Sequence, residues 1–344
     1  MIFMKNKIRI AIVGTGYFSK FHFDAWKRLG VDVTGICSLN IDEAKKQSYR
    51  FRNCKTYKNF SKMINDIEPD LVDIIVPPSK HLELIRIAAE KKINIICQKP
   101  FTNSLTQAKK AVEIAKKNKI IIAVHENFRF QPWFKKIFKI LKSNLLGELF
   151  QVSFRMRPGD GQGPNAYLDR QPYFQNMKKF LIHETAIHFI DLYRYFFGEI
   201  ESVYASLSQL NEVIAGEDCV TVIFKFKNGI KGIFDANRLS DHVAEDRRLT
   251  IGEMIVEGSD GTIRLNGDGK IFYRKFGSNN EKLVKYKWIN KGFAGDSVYF
   301  YQKHVLNHFQ KGQELSNSAE NYLMNIWIEN CIYKSDKLKK MIYI

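Results

Sequence analysis

Two residues invite a chemical reading first. Lys99, in Gln98-Lys99-Pro100, closes a short apolar run, and His188 lies on an apolar helical stretch that also carries Glu184 and Asp191. A lysine at a strand end can donate a hydrogen bond to a reacting oxygen and stabilise alkoxide character; it can equally be a solvated cation. At about 100° per residue, Glu184, His188 and Asp191 fall on one stripe of a helix, with Tyr195 a turn further on. Such a stripe on a buried helix either meets a cleft or is a satisfied core His–carboxylate pair, because unpaired buried polar groups are costly. A zinc-protease reading fails, since His183 and His188 are five residues apart and that motif needs an i, i+4 pair. No metal site is expected.

A third motif, Gly14-Thr15-Gly16-Tyr17-Phe18-Ser19, directly follows the apolar run Ile8 to Val13. In a strand–turn–helix context, Gly14 permits the tight turn and Gly16 lets the backbone approach a pyrophosphate at the helix N-terminus. Ser19 stands where a third glycine is often found. The end of the next strand offers Ser38 where a ribose-reading acid would lie. Without that carboxylate the main bar to a 2′-phosphate is gone, yet no arginine follows at once to receive one. The cofactor expectation is therefore NAD or NADP.

The elements that must position these residues are legible in outline. Apolar runs at Val31 to Cys37, Leu71 to Val76, Ile93 to Cys97 and Ile120 to Val124 alternate with helix-like stretches. This alternation predicts an α/β fold beginning with a Rossmann doubly wound parallel sheet. Ser79 and Ser104 read as helix starts, the latter with Gln107 in a capping-box pattern. Beyond about residue 150 the texture changes. A strand over 152–157, a Gly- and Pro-bearing loop over 158–172, and an apolar helix from Leu181 to Phe197 stopped by Gly198 come first. Alternating strands follow, with Asn228-Gly229 as a hairpin turn and further turns at 257–261 and 266–269. A helix around Ala319 to Tyr333 closes the chain. The expectation is residues 1–125 as a Rossmann NAD(P)-binding domain. Residues 126–344 form an α+β substrate-binding and oligomerisation domain with a largely antiparallel open sheet.

Composition narrows the class. The 344 residues suit two domains, and no apolar run reaches the roughly 20 residues of a membrane span. Residues Met1 to Lys5 lead into a strand-like segment without a signal-peptide pattern, so a cytoplasmic location is expected. Five cysteines, scattered singly, argue against a disulfide framework and a structural zinc. The net charge of +18 is mostly lysine spread along helices, which reads as solvated faces; no nucleic-acid or membrane partner is expected.

Taken together the motifs resemble the Gfo/Idh/MocA oxidoreductase family. The resemblance rests on Gly14-Thr15-Gly16, Pro77-Pro78-Ser79-Lys80-His81, Gln98-Lys99-Pro100, Asn127-Phe128-Arg129-Phe130-Gln131-Pro132, Gly147-Glu148 and Glu184-x-x-x-His188, in order along the chain. Gln98 stands for the family's Glu and Glu184 for its Asp. The resemblance implies hydride transfer between the nicotinamide and a carbinol carbon of a sugar or polyol. His188 would be the general base, Lys99 a donor to the same oxygen, and Glu184 the orienting carboxylate. Cofactor contacts are implied for Gly14, Gly16, Tyr17, Phe18, Ser38, Pro77, His81, Gln98 and Lys99. Asn127, Arg129, Arg157, Tyr167, Tyr173 and His183 are implied for substrate hydroxyls or an anionic group. The family also suggests a cis Lys99–Pro100 bond and a homodimer or homotetramer. The stretch 155–161 with Tyr167, Tyr173 and 181–184 is similar to members acting on free sugars, among them D-apiose dehydrogenases. An NAD-dependent glycosidase and a non-catalytic NAD(P)-binding regulator of the same fold are the rival readings.

Overall fold

A computed structural model describes residues 8–344; the amino-terminal segment read above for a signal peptide lies outside them. The first compact unit runs to Asn127 and also takes Asp296–Ile326. Its sheet comprises β1 (Arg9–Val13), β2 (Asp32–Cys37), β3 (Lys55–Tyr57), β4 (Leu71–Ile74), β5 (Asn94–Gln98) and β6 (Ile122–His125), in the order β3-β2-β1-β4-β5-β6. All neighbours are parallel. Ile10 to Val13 and Leu71 to Ile74 are buried throughout, as strands covered on both faces must be. The order reverses between β1 and β4, and open α/β sheets bind ligands outside the strand carboxyl ends at such a switch point.

Between these strands run α1 (Ser19–Leu29), α2 (Ile41–Ser48), α3 (Phe60–Ile67), α4 (His81–Glu90) and α5 (Leu105–Asn118). The face of α1 turned inward carries Ser19, His22, Phe23 and Trp26, the i, i+3, i+4, i+7 spacing of a buried stripe. Gly30, at φ +66°, ends the helix by donating its N–H to the Lys27 carbonyl at 3.1 Å. Ser104 caps α5 by accepting from the Gln107 amide at 3.3 Å, as expected. Ser79 does not cap α4. It sits within a 3-10 turn over Pro78–Lys80, where the fixed φ of Pro78 starts a tighter turn before the helix opens at His81.

The second unit comprises residues 128–295 and 327–344. It contains α6 (Pro132–Lys142), β7 (Leu149–Met156), α7 (Ile187–Phe197), β8 (Ile200–Ser208), β9 (Cys219–Phe226), β10 (Lys231–Asn237), β11 (Gly252–Gly258), β12 (Gly261–Leu265), β13 (Ile271–Lys275) and β14 (Lys282–Leu283), with β15 (Ile342–Tyr343) at the far edge. The nine strands order as β14-β13-β12-β11-β7-β10-β9-β8-β15. The sheet is antiparallel except where β7 meets β10. Period-two alternation sends Val222, Phe234, Phe154 and Met254 to one face, in cross-strand register. There Phe189 of α7 packs on Phe154 and Phe234, with ring centroids 4.1 and 4.9 Å away. The Asn228-Gly229 turn joins β9 to β10 with Gly229 at φ +88°.

Two further expectations need correction. The helix expected from Leu181 to Phe197 is a π-helical segment over Leu181–Ala186 followed by α7. The amides at its start bond to Glu217, whose side chain accepts from Phe180 and Ile182 and whose carbonyl accepts from Leu181. The region from 126 onward is also not one continuous domain. After β14 the chain returns to the first unit through α8 (Ser297–Lys311) and the start of α9 (Ala319–Leu338). A buried ion pair anchors that return: Arg28 on α1 donates Nη1 and Nη2 to Asp296 at 2.7 and 2.5 Å. Asp296 is 3% exposed. Arg28→Met leaves this carboxylate buried and unmatched, and is expected to cost about 3 kcal/mol in urea-melt stability; a loss under about 0.5 kcal/mol would mean the return is held by apolar packing alone.

Candidate active site

In the first unit, the predicted cofactor residues cluster at the carboxyl edge of the six-stranded sheet. Gly14 has φ +109°, donates its N–H to the Cys37 carbonyl at 2.9 Å, and has no room for a side chain: a Cβ there would lie 2.1 Å from the Ile75 oxygen. Gly16 is the opposite case, with nothing within 4 Å of a Cβ position. α1 then opens with no side-chain cap and no acidic residue in its first turn. A helix amino end with no acidic side chain near it suits a pyrophosphate through its positive dipole. Ser19, in the third-glycine place, is buried and donates its hydroxyl to the Gly16 carbonyl at 2.7 Å. Tyr17 is 38% exposed, while Phe18 turns inward against His22 at 5.7 Å.

Ser38, after β2, shares a hydrogen bond with Thr15 Oγ1 at 2.7 Å and accepts from the Asn40 amide at 3.2 Å. Asn40 in turn caps α2, whose first turn bears Asp42 and Glu43. Pro77 is exposed beyond β4. His81 is not available to a ligand: its ring is fully buried, with Nδ1 2.9 Å from the Phe101 carbonyl and Nε2 2.8 Å from the Val76 carbonyl. Burial pushes its pKa down against the pull of both carbonyls, so it braces two loops instead.

Lys99 follows β5, half-buried, and its bond to Pro100 is cis. Its main-chain N–H donates to Gln98 Oε1 at 2.7 Å, which turns the Gln98 amide nitrogen toward His22 Nε2 at 3.1 Å. His22 Nδ1 lies 2.8 Å from Asp73 Oδ2, which also accepts from Trp26 Nε1 at 2.7 Å. An amide nitrogen can only donate. His22 therefore accepts at Nε2 and donates from Nδ1, and the chain Gln98–His22–Asp73 runs in one direction. Asp73 and His22 were missed in the sequence, although a lone carboxylate inside Leu71-Val72-Asp73-Ile74 was a visible signal.

In the second unit the structure brings together residues far apart in sequence. His188 is 4% exposed and stacks on Phe128, with centroids 3.8 Å apart and planes 3° from parallel. Glu184 sits in the π-helical turn, where the 100° wheel no longer applies; such turns often occur at functional sites. Its Oε2 accepts from Thr185 Oγ1 at 2.5 Å and pairs with Arg238 Nη2 at 3.2 Å. Asp191, on the expected stripe, takes a bidentate contact from Arg129 at 2.5 and 2.7 Å. Arg157 donates to Asp235 Oδ2 at 2.5 Å and to two main-chain carbonyls. Tyr167 is buried and donates to Asp160 at 3.3 Å. Tyr173 is 56% exposed, and its hydroxyl accepts from Gln171 Nε2 at 3.0 Å. His183 pairs with Glu329 at 2.9 Å. Asn127 belongs to the first unit, where it donates to Ser297 at 2.7 Å. Arg238, at the end of β10, carried no local signal.

Residues 8–126 match the family described as oxidoreductase, NAD-binding Rossmann fold, and residues 134–264 match the Gfo/Idh/MocA C-terminal domain. The chain belongs to the Gfo/Idh/MocA oxidoreductase family. Its first unit is thus an NAD-binding Rossmann domain. Within that family the chain is 28% identical over 338 residues to D-apiose dehydrogenase of Rhizobium rhizogenes, covering 96% of this chain and 95% of that one. It is 27% identical to the D-apiose dehydrogenase of Paraburkholderia graminis, over 96% and 88% of the two chains. Among solved structures, an Agrobacterium radiobacter oxidoreductase in complex with NAD+, L-tartaric acid and magnesium has a TM-score of 0.89 at 26% identity, over 98% of each chain.

Where this Gfo/Idh/MocA chain carries Gln98, the resemblance led to Glu. Gln98→Glu removes the N–H that faces His22 Nε2 and sets a second carboxylate near Asp73. The expected loss is about 2 kcal/mol in stability by urea melt at pH 8; a variant as stable as the parent would show that the amide is not required there.

Proposed function

We propose that the chain is an NAD-dependent dehydrogenase that oxidises a carbinol carbon of an uncharged aldose or polyol, with D-apiose the first candidate. One observation carries the substrate class. Arg129 faces Asp191, Arg157 faces Asp235, Arg170 faces Asp160, and Arg238 faces Asp160 and Glu184. Each guanidinium is neutralised by a carboxylate of the chain itself, which favours hydroxyl groups over a carboxylate or phosphate on the substrate. The two D-apiose dehydrogenases support the same choice.

NAD is favoured over NADP by the end of β2. Ser38 is engaged with Thr15, Asn40 occupies the α2 amides, and Asp42 and Glu43 follow. No cation stands between Ser38 and Ala44 to receive a 2′-phosphate. NAD, when bound at the carboxyl edge of the six-stranded sheet beside Gly14 and Gly16, would supply the hydride acceptor. His188 takes the hydroxyl proton, with its ring plane fixed by Phe128. Lys99 would donate a hydrogen bond to a reacting oxygen and stabilise its developing charge. Glu184 is the carboxylate assigned to orient the imidazole. The five cysteines are unpaired, which favours a reducing cytoplasmic setting.

Absorbance at the reduced-nicotinamide band, across D-apiose, neutral aldoses, polyols and uronic acids with both cofactors, tests this reading. The expected outcome is turnover of a neutral sugar with NAD at least tenfold, roughly, above NADP. Lys99→Ala and His188→Ala are each expected to lower kcat/KM by about 10²–10⁴-fold. Turnover only of acidic sugars would overturn the substrate class. Glycoside cleavage without net absorbance change, or NAD binding with no turnover, would favour the glycosidase or the regulator.

Self-association is proposed through the open face of the nine-stranded sheet. There Tyr204, Ile223, Ile233, Ser153 and Ile255 form one cross-strand row, with Tyr204, Ile223 and Ile255 39, 43 and 37% exposed. Ile223→Arg is expected to lower the sedimentation mass toward that of one chain; an unchanged mass would place any self-association elsewhere.

A further inference from the structure

The loop over 158–176 and the π-helical turn meet on one side chain. Arg238 is 5% exposed, and its Nη1 donates to both oxygens of Asp160 at 3.1 and 3.2 Å. Its Nη2 reaches Glu184 Oε2 at 3.2 Å and, by a very short contact, Thr185 Oγ1. Arg170 adds a bond to Asp160 at 2.9 Å. Burial alone would raise the Asp160 carboxyl, but Arg238 and then Arg170 hold it below the usual range. The loop thus meets Arg238 as a carboxylate.

The rest of the loop is built around the same guanidinium. Tyr167, Phe174 and Phe180 place their rings 5.5, 5.7 and 4.8 Å from it. These aromatics, with Ala166 and Ile214, form a separate apolar cluster. Gly161 donates its N–H to the Arg238 carbonyl at 3.0 Å, and a Cβ at Gly161 would come within 2.9 Å of both the Arg238 Cβ and the Tyr167 hydroxyl. A planar fork with five donors can bridge two carboxylates in fixed directions, which an ammonium cannot.

We propose that Arg238 is a positioning residue that locks the 158–176 loop to the π-helical turn, so that the loop and Glu184 are set together. The inference rests on the role given to Glu184 above. A purely structural ion cluster would cost stability when cut, but would not tie the effect of Arg238 to Glu184.

Two measurements on the full chain test this. The first is amide hydrogen exchange in peptides covering 158–176 and 181–188, which needs no substrate. Arg238→Met is expected to speed exchange in both segments by about tenfold or more while peptides of β1 to β6 stay unchanged. The second is turnover of D-apiose with NAD+ by Glu184→Gln, Arg238→Met and the double variant. Arg238→Met is expected to lower kcat/KM about 100-fold in the parent but less than about threefold in the Glu184→Gln background. Should Arg238→Met fail to fold, Arg238→Lys carries both tests, since it keeps the charge without the fork. It is expected to loosen both segments and lower kcat about tenfold.

Unchanged exchange in either segment, or additive kinetic effects, would overturn the lock. A Glu184→Gln variant within about threefold of the parent would instead remove the catalytic reading of Glu184, leaving the exchange data to judge the lock by itself.

Discussion

A full positive charge sealed inside the second unit dictates much of what surrounds it. Arg238 is 5% exposed, and its Nη1 and Nη2 face acceptors from a loop, a π-helical turn and a threonine hydroxyl, while its buried Nε has none. The cost of stranding any of them is large in an apolar setting. The loop over 158–176 consequently has little freedom in where it lies, although it contains almost no regular secondary structure. Glu217 plays a similar part for the turn itself, taking the amides of Phe180 and Ile182 and the hydroxyl of Tyr333.

The first unit meets the same constraint around a carboxylate. Asp73 is set in the middle of a parallel strand with no exposure, and meets Trp26 and His22 from α1. The direction of that chain is imposed at its far end, where the Lys99 main-chain amide decides which way the Gln98 side chain turns. A backbone hydrogen bond beside the strand terminus thereby fixes the tautomer of an imidazole on a helix. Helix α1, whose amino end suits a pyrophosphate, is held to the sheet through the same three side chains.

Features set by local geometry were legible in the sequence. Gly14 is required because its α-carbon lies against the Ile75 carbonyl, and a glycine between an apolar strand and a helix announces that crowding. The Asn228-Gly229 hairpin and the Ser104 cap are readable for the same reason. What escaped was set by partners distant along the chain. Arg28 and Asp296 are 268 residues apart, so nothing near either one marks the return of α8 to the first unit. The apolar spacing over 181–197 fits one regular helix, and the departure from it comes with acceptors on Glu217, more than 30 residues away. The family resemblance points to Arg129 and Arg157, but spacing along the chain does not assign their carboxylate partners.

The stack of His188 on Phe128 limits what the imidazole can do over time. Planes only 3° from parallel at 3.8 Å leave no space for the ring to pass through an edge-on orientation. Turning it over would require Phe128 to move as well, and that ring is itself packed against Phe134 and Phe189. The two nitrogens therefore do not exchange surroundings: one keeps its neighbours and the other keeps its own. A proton that arrives on one nitrogen leaves from that same nitrogen, or crosses the ring only by tautomerisation. The aromatic core beneath the imidazole thus acts as a bearing that does not turn, so each ring nitrogen keeps the surroundings it folds into.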